Sequence, residues 1–350
     1  MPQEFSIREM TSGDSVALAV LTEQSPDSGR IAINPHFHVP AYDVYKMRHG
    51  DIIGVVAEIP GYEGLAGAAH VSFGTCQFEG KVYPYALLSG LMVHPDYRKR
   101  GIAGALAQWG FQRAIERSGK ETLLLADIQQ GNLASMASAK KWASQISGKI
   151  VVCPVPMRSQ PPQANPDVTV RQVKPEELPA VAAHLNDFYK DANFYRPQTA
   201  ESLHHWLETT PLDTPVHHYI VAVDRTGRLL AGMGIKEEGR LMSLHIASAP
   251  AMIKFANVFL NVIPADYNLR NLETRKLWFA PGQAAAGRYL WQTVRYEWRE
   301  RGSNLVANYD PRGPITQMLQ IRPWLPTTSL TVALRGPVPM SEDRLIDPLT

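Results

Sequence analysis

The stretch Leu91-Met92-Val93-His94-Pro95-Asp96-Tyr97-Arg98-Lys99-Arg100-Gly101-Ile102-Ala103-Gly104 joins two different hydrophobic patterns. An apolar run rich in strand-forming residues ends before Pro95, and a helical pattern of small and apolar residues begins after Gly101. Proline and glycine interrupt regular structure, so the residues between them form a turn. The stretch therefore predicts a strand, a basic turn and a helix in that order.

The turn has the features of an anion site. Backbone N–H groups at the start of a helix lack partners and carry the positive end of the helix dipole. Two kinds of residue favour a phosphate here. One is small, namely Gly101, Ala103 and Gly104, and the other is cationic, namely Arg98, Lys99 and Arg100. Small residues let the phosphate approach the backbone, and the cations attract it. A basic turn alone is weak evidence, because many such turns are solvated surface.

A longer pattern makes the prediction more specific. The motif Val-x-Pro-x-x-Arg-x-x-Gly-x-Ala is formed by Val93, Pro95, Arg98, Gly101 and Ala103. It resembles the pyrophosphate signature of the GNAT acyltransferase superfamily, and it lacks the lysine-serine ending of a P-loop and the Gly-x-Gly-x-x-Gly order of dinucleotide-binding proteins. The resemblance implies acetyl-CoA, or another acyl-CoA, as co-substrate and no metal.

Composition sets further bounds. The chain has 350 residues, enough for two domains, and 35 basic against 33 acidic residues. This balance gives no overall field for nucleic acid or a membrane, so neither is expected as a partner. Cys76 and Cys153 are too few for a disulfide scaffold, and residues 1–5 have no signal-peptide pattern. We expect a soluble cytoplasmic protein whose cysteines are buried.

The first half of the chain alternates between strand and helix patterns. We predict strands at 5–10, 52–59, 65–73, 85–93, 123–126 and 150–153. We predict helices at 16–21, 40–46, 102–118 and from 131 past 142. This order, β-α-α-β-β-β-α-β-α-β, is the GNAT order over residues 4–157, and it predicts an α/β fold with a mixed sheet.

Beyond a polar, proline-rich linker the pattern starts again. Residues 168–173 echo the first strand, with Arg171 in the place of Arg8, and Leu230-Ala231-Gly232 repeats Leu65-Ala66-Gly67. We predict two tandem GNAT-like domains. Their bounds are a first domain at 1–157, a linker at 158–167, a degenerate second domain at 168–336 and a C-terminal tail at 337–350.

The second copy has lost the basic turn. Pro281 and Gly287 keep the separation of Pro95 and Gly101, and Gly313, Met318 and Trp324 keep the spacing of Gly131, Met136 and Trp142. Three alanines, residues 284–286, stand where the first copy has its three cations. We therefore expect one CoA for each chain, bound by the first domain.

The resemblance implies transfer of an acyl group, most often acetyl, to a primary amine. Relatives polarise the thioester with a backbone N–H of the strand before the turn, which here is the stretch Leu91, Met92 and Val93. Ile102, the first residue of the helix that follows, is expected to bind the co-substrate together with the turn. Asn132 and Ser135, at the start of the next helix, are expected along the pantetheine arm. The alternative for both is a plain helix cap.

The usual proton-handling residues are missing. Many relatives have a tyrosine where Ala139 stands and a carboxylate near Ser89. Side chains that could replace them lie nearby in the sequence and are Glu79, Tyr83, Tyr85, His70, His36 and His38. We assign no catalytic base. The His36-x-His38 pair could also suggest a metal, but further ligands are lacking, so a loop or a substrate wall is favoured.

Three classes of function remain open. The first is an acyl-CoA-dependent N-acyltransferase acting on a small-molecule or peptide amine, the second a CoA-binding protein without turnover. The third is another acyl-CoA reaction, such as hydrolysis, decarboxylation or O-transfer. The oligomeric state is also open, with a homodimer as one option.

Overall fold

The computed structural model describes residues 5–25, 32–248 and 264–349. Residues 1–4, part of the segment for which no targeting signal is expected, lie outside these ranges. Within them, no helix is both long enough and apolar enough to cross a membrane.

Strands and helices alternate along the whole chain. The strands are β1 (Ser6–Glu9), β2 (Ala32–Phe37), β3 (Ile52–Glu58), β4 (Gly67–Phe78), β5 (Lys81–Val93), β6 (Leu123–Gln129), β7 (Gln145–Pro156), β8 (Val168–Gln172), β9 (His217–Asp224), β10 (Leu229–Lys236), β11 (Met242–Ser248), β12 (Asn268–Leu269), β13 (Asn271–Phe279), β14 (Asn304–Tyr309) and β15 (Thr328–Arg335). The helices are α1 (Ser15–Gln24), α2 (Ala41–His49), α3 (Ile102–Ser118), α4 (Leu133–Ala139), α5 (Leu178–Phe188), α6 (Ala200–Glu208), α7 (Ala284–Glu297) and α8 (Thr316–Leu319). The predicted α/β fold with a mixed sheet is confirmed.

One 12-stranded sheet runs through both halves, in the order β1-β3-β4-β5-β6-β15-β7-β14-β13-β10-β9-β8. The two halves exchange their last strands at its centre. β15, from the second half, pairs antiparallel with β6, while β7, from the first half, pairs antiparallel with β14. β7 and β15 also pair with each other. Neither half therefore completes its sheet alone.

The two halves repeat one another in detail. Arg8 on β1 contacts Asp14 at 2.7 Å, and Arg171 on β8 contacts Glu177 at 2.6 Å. In both cases the carboxylate lies six residues after the arginine and at the start of the first helix of its half. The predicted correspondence of Arg8 and Arg171 thus places the same ion pair at the same point of the fold.

Helices cover the two faces of the first half differently. α3 packs on one face of the sheet, which we call the α3 face. Its residues Ile102, Leu106 and Ala107 share a cluster there with strand residues such as Val71 and Leu88. Leu18 and Leu21 of α1 and Ala41 of α2 pack on the opposite face, the α1 face, against Val56 and Ala68. Side chains alternate along a strand, so each strand contributes to both faces.

Residues 32–37 differ from the prediction, which placed no strand between the helices at 16–21 and 40–46. They form β2, which pairs antiparallel with β11 of the second half in a separate three-stranded sheet. The partner lies far away in the sequence, so a local pattern could not indicate this strand.

The helix predicted from residue 131 past 142 ends earlier, at Ala139. The backbone N–H of Ser144 donates to Leu334 of β15, and the chain enters β7 at Gln145 instead of continuing as a helix. Trp142 packs on Phe111, with 4.5 Å between ring centroids. Pairing with β15 therefore lengthens β7 at the expense of α4.

The final residues, predicted as a tail, pack against both halves. Met340 and Ile346 are buried in one cluster with Leu125 and Leu334. The Ser341 backbone N–H donates to the Glu79 carboxylate, and the Ile346 N–H donates to that of Asp310. The domain boundaries remain a prediction, but the C-terminal residues are part of the folded core.

We expect a protein consisting of residues 1–158 to aggregate. Without β15 and β14, β7 loses both of its partners and β6 exposes one edge, and such edges pair with other chains. Size-exclusion chromatography of this protein tests the expectation, and the matched control is the same segment produced together with residues 159–350. A stable monomer of residues 1–158 would show that strand exchange is dispensable.

Candidate active site

The basic turn follows β5 directly. Residues 95–97 form a 3₁₀ turn, Arg98 is extended, and Lys99 and Gly101 have positive φ angles of 65° and 86°. α3 begins at Ile102, as predicted, with Gly101 as its N-cap. Glycine adopts this left-handed conformation without steric cost, and a turn of this kind directs backbone N–H groups to one side. The predicted turn is therefore a concave segment at a helix start.

The three cations lie at the surface of this turn. Arg98 Nε donates to the Val93 carbonyl at 3.2 Å, which ties the turn to the end of β5. Arg100 lies over the Tyr97 ring, 5.3 Å from its centroid, and Tyr97 packs on Tyr62. Lys99 is exposed. Nothing lies within 4 Å of a Cβ built on Gly104, so the first helical turn is open on that side.

A β-bulge interrupts the pairing of β4 with β5 just before the turn. β4 and β5 shift register between Ala68 and His70, because β5 has one extra residue near Gly90. Gly90 has a φ of 59°, and a Cβ there would lie 2.8 Å from the His70 ring, so the bulge requires glycine.

The bulge opens a wedge in the sheet. β5 and β6 pair in parallel at only three positions, the last of which is Leu87 opposite Leu125. Beyond this pair, residues 88–93 of β5 and 126–129 of β6 diverge, and we call the space between them the wedge. Leu91, Met92 and Val93 border it, so the predicted backbone stretch lies at an opening beside the basic turn.

Asn132 and Ser135 lie at the start of α4, at the edge of the sheet where β6 ends. Asn132 Oδ1 accepts a hydrogen bond from the Ser135 backbone N–H at 3.0 Å. Asn132 is thus the N-cap of α4, the alternative that the sequence left open. α3 and α4 begin at the same edge, because both follow parallel strands.

Glu79 has a structural role. Its carboxylate accepts from Asn193 Nδ2 at 2.7 Å and from the Ser341 backbone, and it contacts Arg344 at 3.4 Å. These contacts attach the β4–β5 hairpin to the second half. Glu79 lies at the end of β5 opposite to the wedge and does not belong to the site.

Tyr83 and Tyr85, the two tyrosine candidates, also lie away from the turn. Tyr85 is buried and its hydroxyl accepts from Arg196 at 3.3 Å, while Tyr83 packs on Phe78. Of these candidates, His70 is the one beside the wedge. It is buried, it lies opposite Ser89 in the ladder, and its ring packs on Tyr45 of α2 at 4.9 Å.

His36 and His38 lie in and just after β2, with 5.3 Å between ring centroids. Burial, the nearby His36 and Arg270 lower the pKa of His38. Among the described residues, no group of three or more histidine, cysteine or acidic side chains could hold a metal ion. Both cysteines are free and buried, and burial raises the pKa of Cys76 to about 12 and that of Cys153 to about 11.

Asp127 was not among the candidates predicted from the sequence. The predicted strand ends at Ala126, but β6 continues through Asp127 to Gln129. Asp127 Oδ2 is shielded from solvent and has no hydrogen-bond partner among the described residues. Burial raises the pKa of this carboxyl to about 6. The available signal was a single acidic residue within the apolar run Leu-Leu-Leu-Ala-Asp-Ile.

The second half repeats the wedge but not the turn. β13 has a bulge near Lys276, whose φ is 52°, and it pairs with β14 at only three positions. Residues 280–283 connect β13 to α7, so Gly287, aligned with Gly101 by sequence, lies inside a helix instead of before one. That alignment is wrong, because the second turn is shorter.

The second wedge is lined by the chain's own C-terminal residues. A cavity of about 160 Å³ lies between Leu277, Tyr309 and residues 345–348. Asp347 N–H donates to the Asn193 carbonyl and holds this segment in place. Burial raises the pKa of the Asp347 carboxyl and lowers that of the Lys276 ammonium.

Comparison with known proteins agrees with this geometry. Residues 21–143 match the model of the acetyltransferase (GNAT) family. A search of curated protein sequences finds no match.

Solved structures share the fold along nearly the whole chain. N-myristoyltransferase from Saccharomyces cerevisiae with bound myristoyl-CoA is 11% identical, with a TM-score of 0.64 over 99% of this chain and 85% of that one. A GCN5-related N-acetyltransferase from Sphaerobacter thermophilus is 16% identical, with a TM-score of 0.60 over 98% and 99%. The segment of residues 21–143 therefore belongs to the GNAT family, and the whole chain has the fold of acyl-CoA N-acyltransferases.

Proposed function

We propose that the protein transfers an acyl group from acyl-CoA to the primary amine of a small molecule or a peptide. The observation that carries this proposal is the basic turn beside the wedge. The turn offers backbone N–H groups and three cations to a pyrophosphate, and the wedge begins within the same strand. A thioester arm bound at the turn would enter the sheet where β5 backbone groups face no partner strand.

The binding residues follow from this arrangement. Arg98, Lys99 and Arg100 would neutralise the pyrophosphate, while the small residues Gly101, Ala103 and Gly104 allow its approach. Residues 91–93 would polarise the thioester carbonyl, and Asn132 and Ser135 would lie along the pantetheine arm, Asn132 through the part of its amide that does not cap α4.

Acetyl is our first choice of acyl group, since the first half matches an acetyltransferase family. A longer acyl chain is the second candidate, because the yeast N-myristoyltransferase with this fold binds myristoyl-CoA. The two free, buried cysteines fit a reducing compartment, so we propose a cytoplasmic location. A monomer and a homodimer are both compatible with the proposal.

Release of free CoA thiol, followed with acetyl-CoA or myristoyl-CoA and a panel of amines, tests the function. We expect release that depends on the amine, with one acyl-CoA preferred. Tight CoA binding without release would instead identify a binding protein. Release without any amine would identify another acyl-CoA reaction, such as hydrolysis.

We expect Ala103→Trp to weaken CoA binding at least tenfold, about 1.4 kcal/mol, because the indole would occupy the path of the pyrophosphate. Isothermal titration calorimetry with CoA measures this. Gln108→Trp is the matched control, since Gln108 is exposed on the same helix. Lys99→Glu, at an exposed position, should weaken binding without affecting folding. Unchanged affinity in a folded Ala103→Trp protein would contradict the assignment of the turn.

We also expect one CoA for each chain. The second half lacks the extended basic turn, and residues 345–348 line its wedge. The same calorimetric titration gives the stoichiometry, and a value near two would mean that the C-terminal residues leave the second wedge when CoA binds.

A further inference from the structure

Asp127 lies on the face of the sheet from which an acceptor can approach. Its strand neighbour Leu125 clusters with Tyr85, Leu87 and Leu334, whereas Leu124 clusters with α3. Side chains two apart on a strand share a face, so Asp127 projects from the face opposite to α3. In the ladder with β15 it lies directly opposite Val332, which belongs to the same cluster as Leu125.

The position of Asp127 along β6 coincides with the start of the wedge. The last parallel pair joins Leu87 to Leu125, and two residues further on the two strands carry Ser89 and Asp127. Ser89 in turn lies opposite His70 of β4. His70, Ser89 and Asp127 therefore form a polar row across three neighbouring strands, at the level where β5 and β6 separate.

The helices leave one direction of approach. α3 covers one face through Leu106 and Phe111, and α4 packs on Ile128 of β6 on that same side. On the opposite face α1 and α2 pack over β3 and β4, and α1 reaches Met92 of β5, so an acceptor amine approaches a thioester in the wedge from the part of the α1 face over β6. Asp127 is on this face and has a carboxylate oxygen with no hydrogen-bond partner among the described residues. The side chain is half-buried, and a carboxylate oxygen held away from water without a partner is costly, so a fold that keeps one needs a compensating use for it.

We propose that Asp127 is the general base of the acyl transfer, an inference that rests on the proposed function. The carboxylate accepts one proton from the acceptor ammonium, and the neutral nitrogen then forms a bond to the acyl carbon. The carbon–sulfur bond breaks, and the nitrogen loses its second proton, which passes through water to the departing CoA thiolate. Asp127 returns its proton to solvent after the product departs.

The electrostatic surroundings suit this task. The pKa of Asp127 is raised to about 6 by burial, with no contribution from a charged neighbour. Titratable groups on the same face include His70 and Cys76 of β4 and Tyr85 of β5, whose hydroxyl contacts Arg196, and Tyr45 lies against His70 from α2. A base with a pKa just below neutral is ionised at pH 7 and still binds a proton well. Activity should therefore rise with pH through about 6.

The experiment compares Asp127→Asn and Asp127→Glu with the wild type, and uses Glu121→Gln as control. Glu121 is exposed just before the same strand, so its variant removes one negative charge without touching the wedge. We expect Asp127→Asn to lower kcat/KM for the amine roughly 100-fold or more, the usual size for loss of a general base. CoA affinity should change less than threefold. Asp127→Glu should recover part of the activity, and Glu121→Gln should match the wild type.

The pH profile separates a base from a structural residue. The wild type should show an acid limb in kcat/KM near pH 6, and the residual activity of Asp127→Asn should lack it. If Asp127→Asn does not fold, the wild-type pH profile still tests the role of Asp127, because the absence of an acid limb would overturn its assignment as general base. A folded Asp127→Asn protein with wild-type kcat/KM would overturn it as well. Failure of the wild type to bind acyl-CoA would overturn the proposed function itself, which calorimetry reports separately.

Discussion

The exchange of β7 and β15 is the constraint on which the rest of the molecule depends. β6 needs β15 on the side away from β5, because β7 pairs with the second half instead. β14 likewise needs β7 on the side away from β13, because β15 pairs with the first half. Buried backbone N–H and C=O groups must be paired, so each half relies on a strand from the other. The two halves are therefore one continuous sheet, and the site proposed in the first half rests on residues from the second.

This exchange also explains how the wedge is held open. β15 pairs with β6 along six residues from Leu124 to Gln129 and fixes its direction, while the bulge at Gly90 turns β5 away on the other side. β6 is paired with β15 on one side, while beyond Leu125 it is no longer paired with β5 on the other. It therefore exposes backbone groups and still keeps its place in the sheet. The space that we propose for a thioester thus comes from ordinary pairing rules and one extra residue in β5.

The halves have diverged in what their wedges contain. In the first half a turn of eight residues, 94–101, separates strand from helix and brings cations to the edge. In the second half four residues, 280–283, make the same connection, and the C-terminal segment packs into the opening. The second wedge has become a place where the chain anchors its own end, with Asp347 and Lys276 as half-buried ionisable groups.

The sequence alone determined the turn, the helix from Ile102 to Ser118 and most strands, because proline, glycine and apolar periodicity act over a few residues. The repeat was also readable, down to the arginines at positions 8 and 171. Only the tertiary structure decided the strand exchange, β2, the early end of α4 and the place of Asp127. These features depend on pairs such as Ser144 with Leu334, 190 residues apart, and no local pattern records which distant strand will supply a backbone partner.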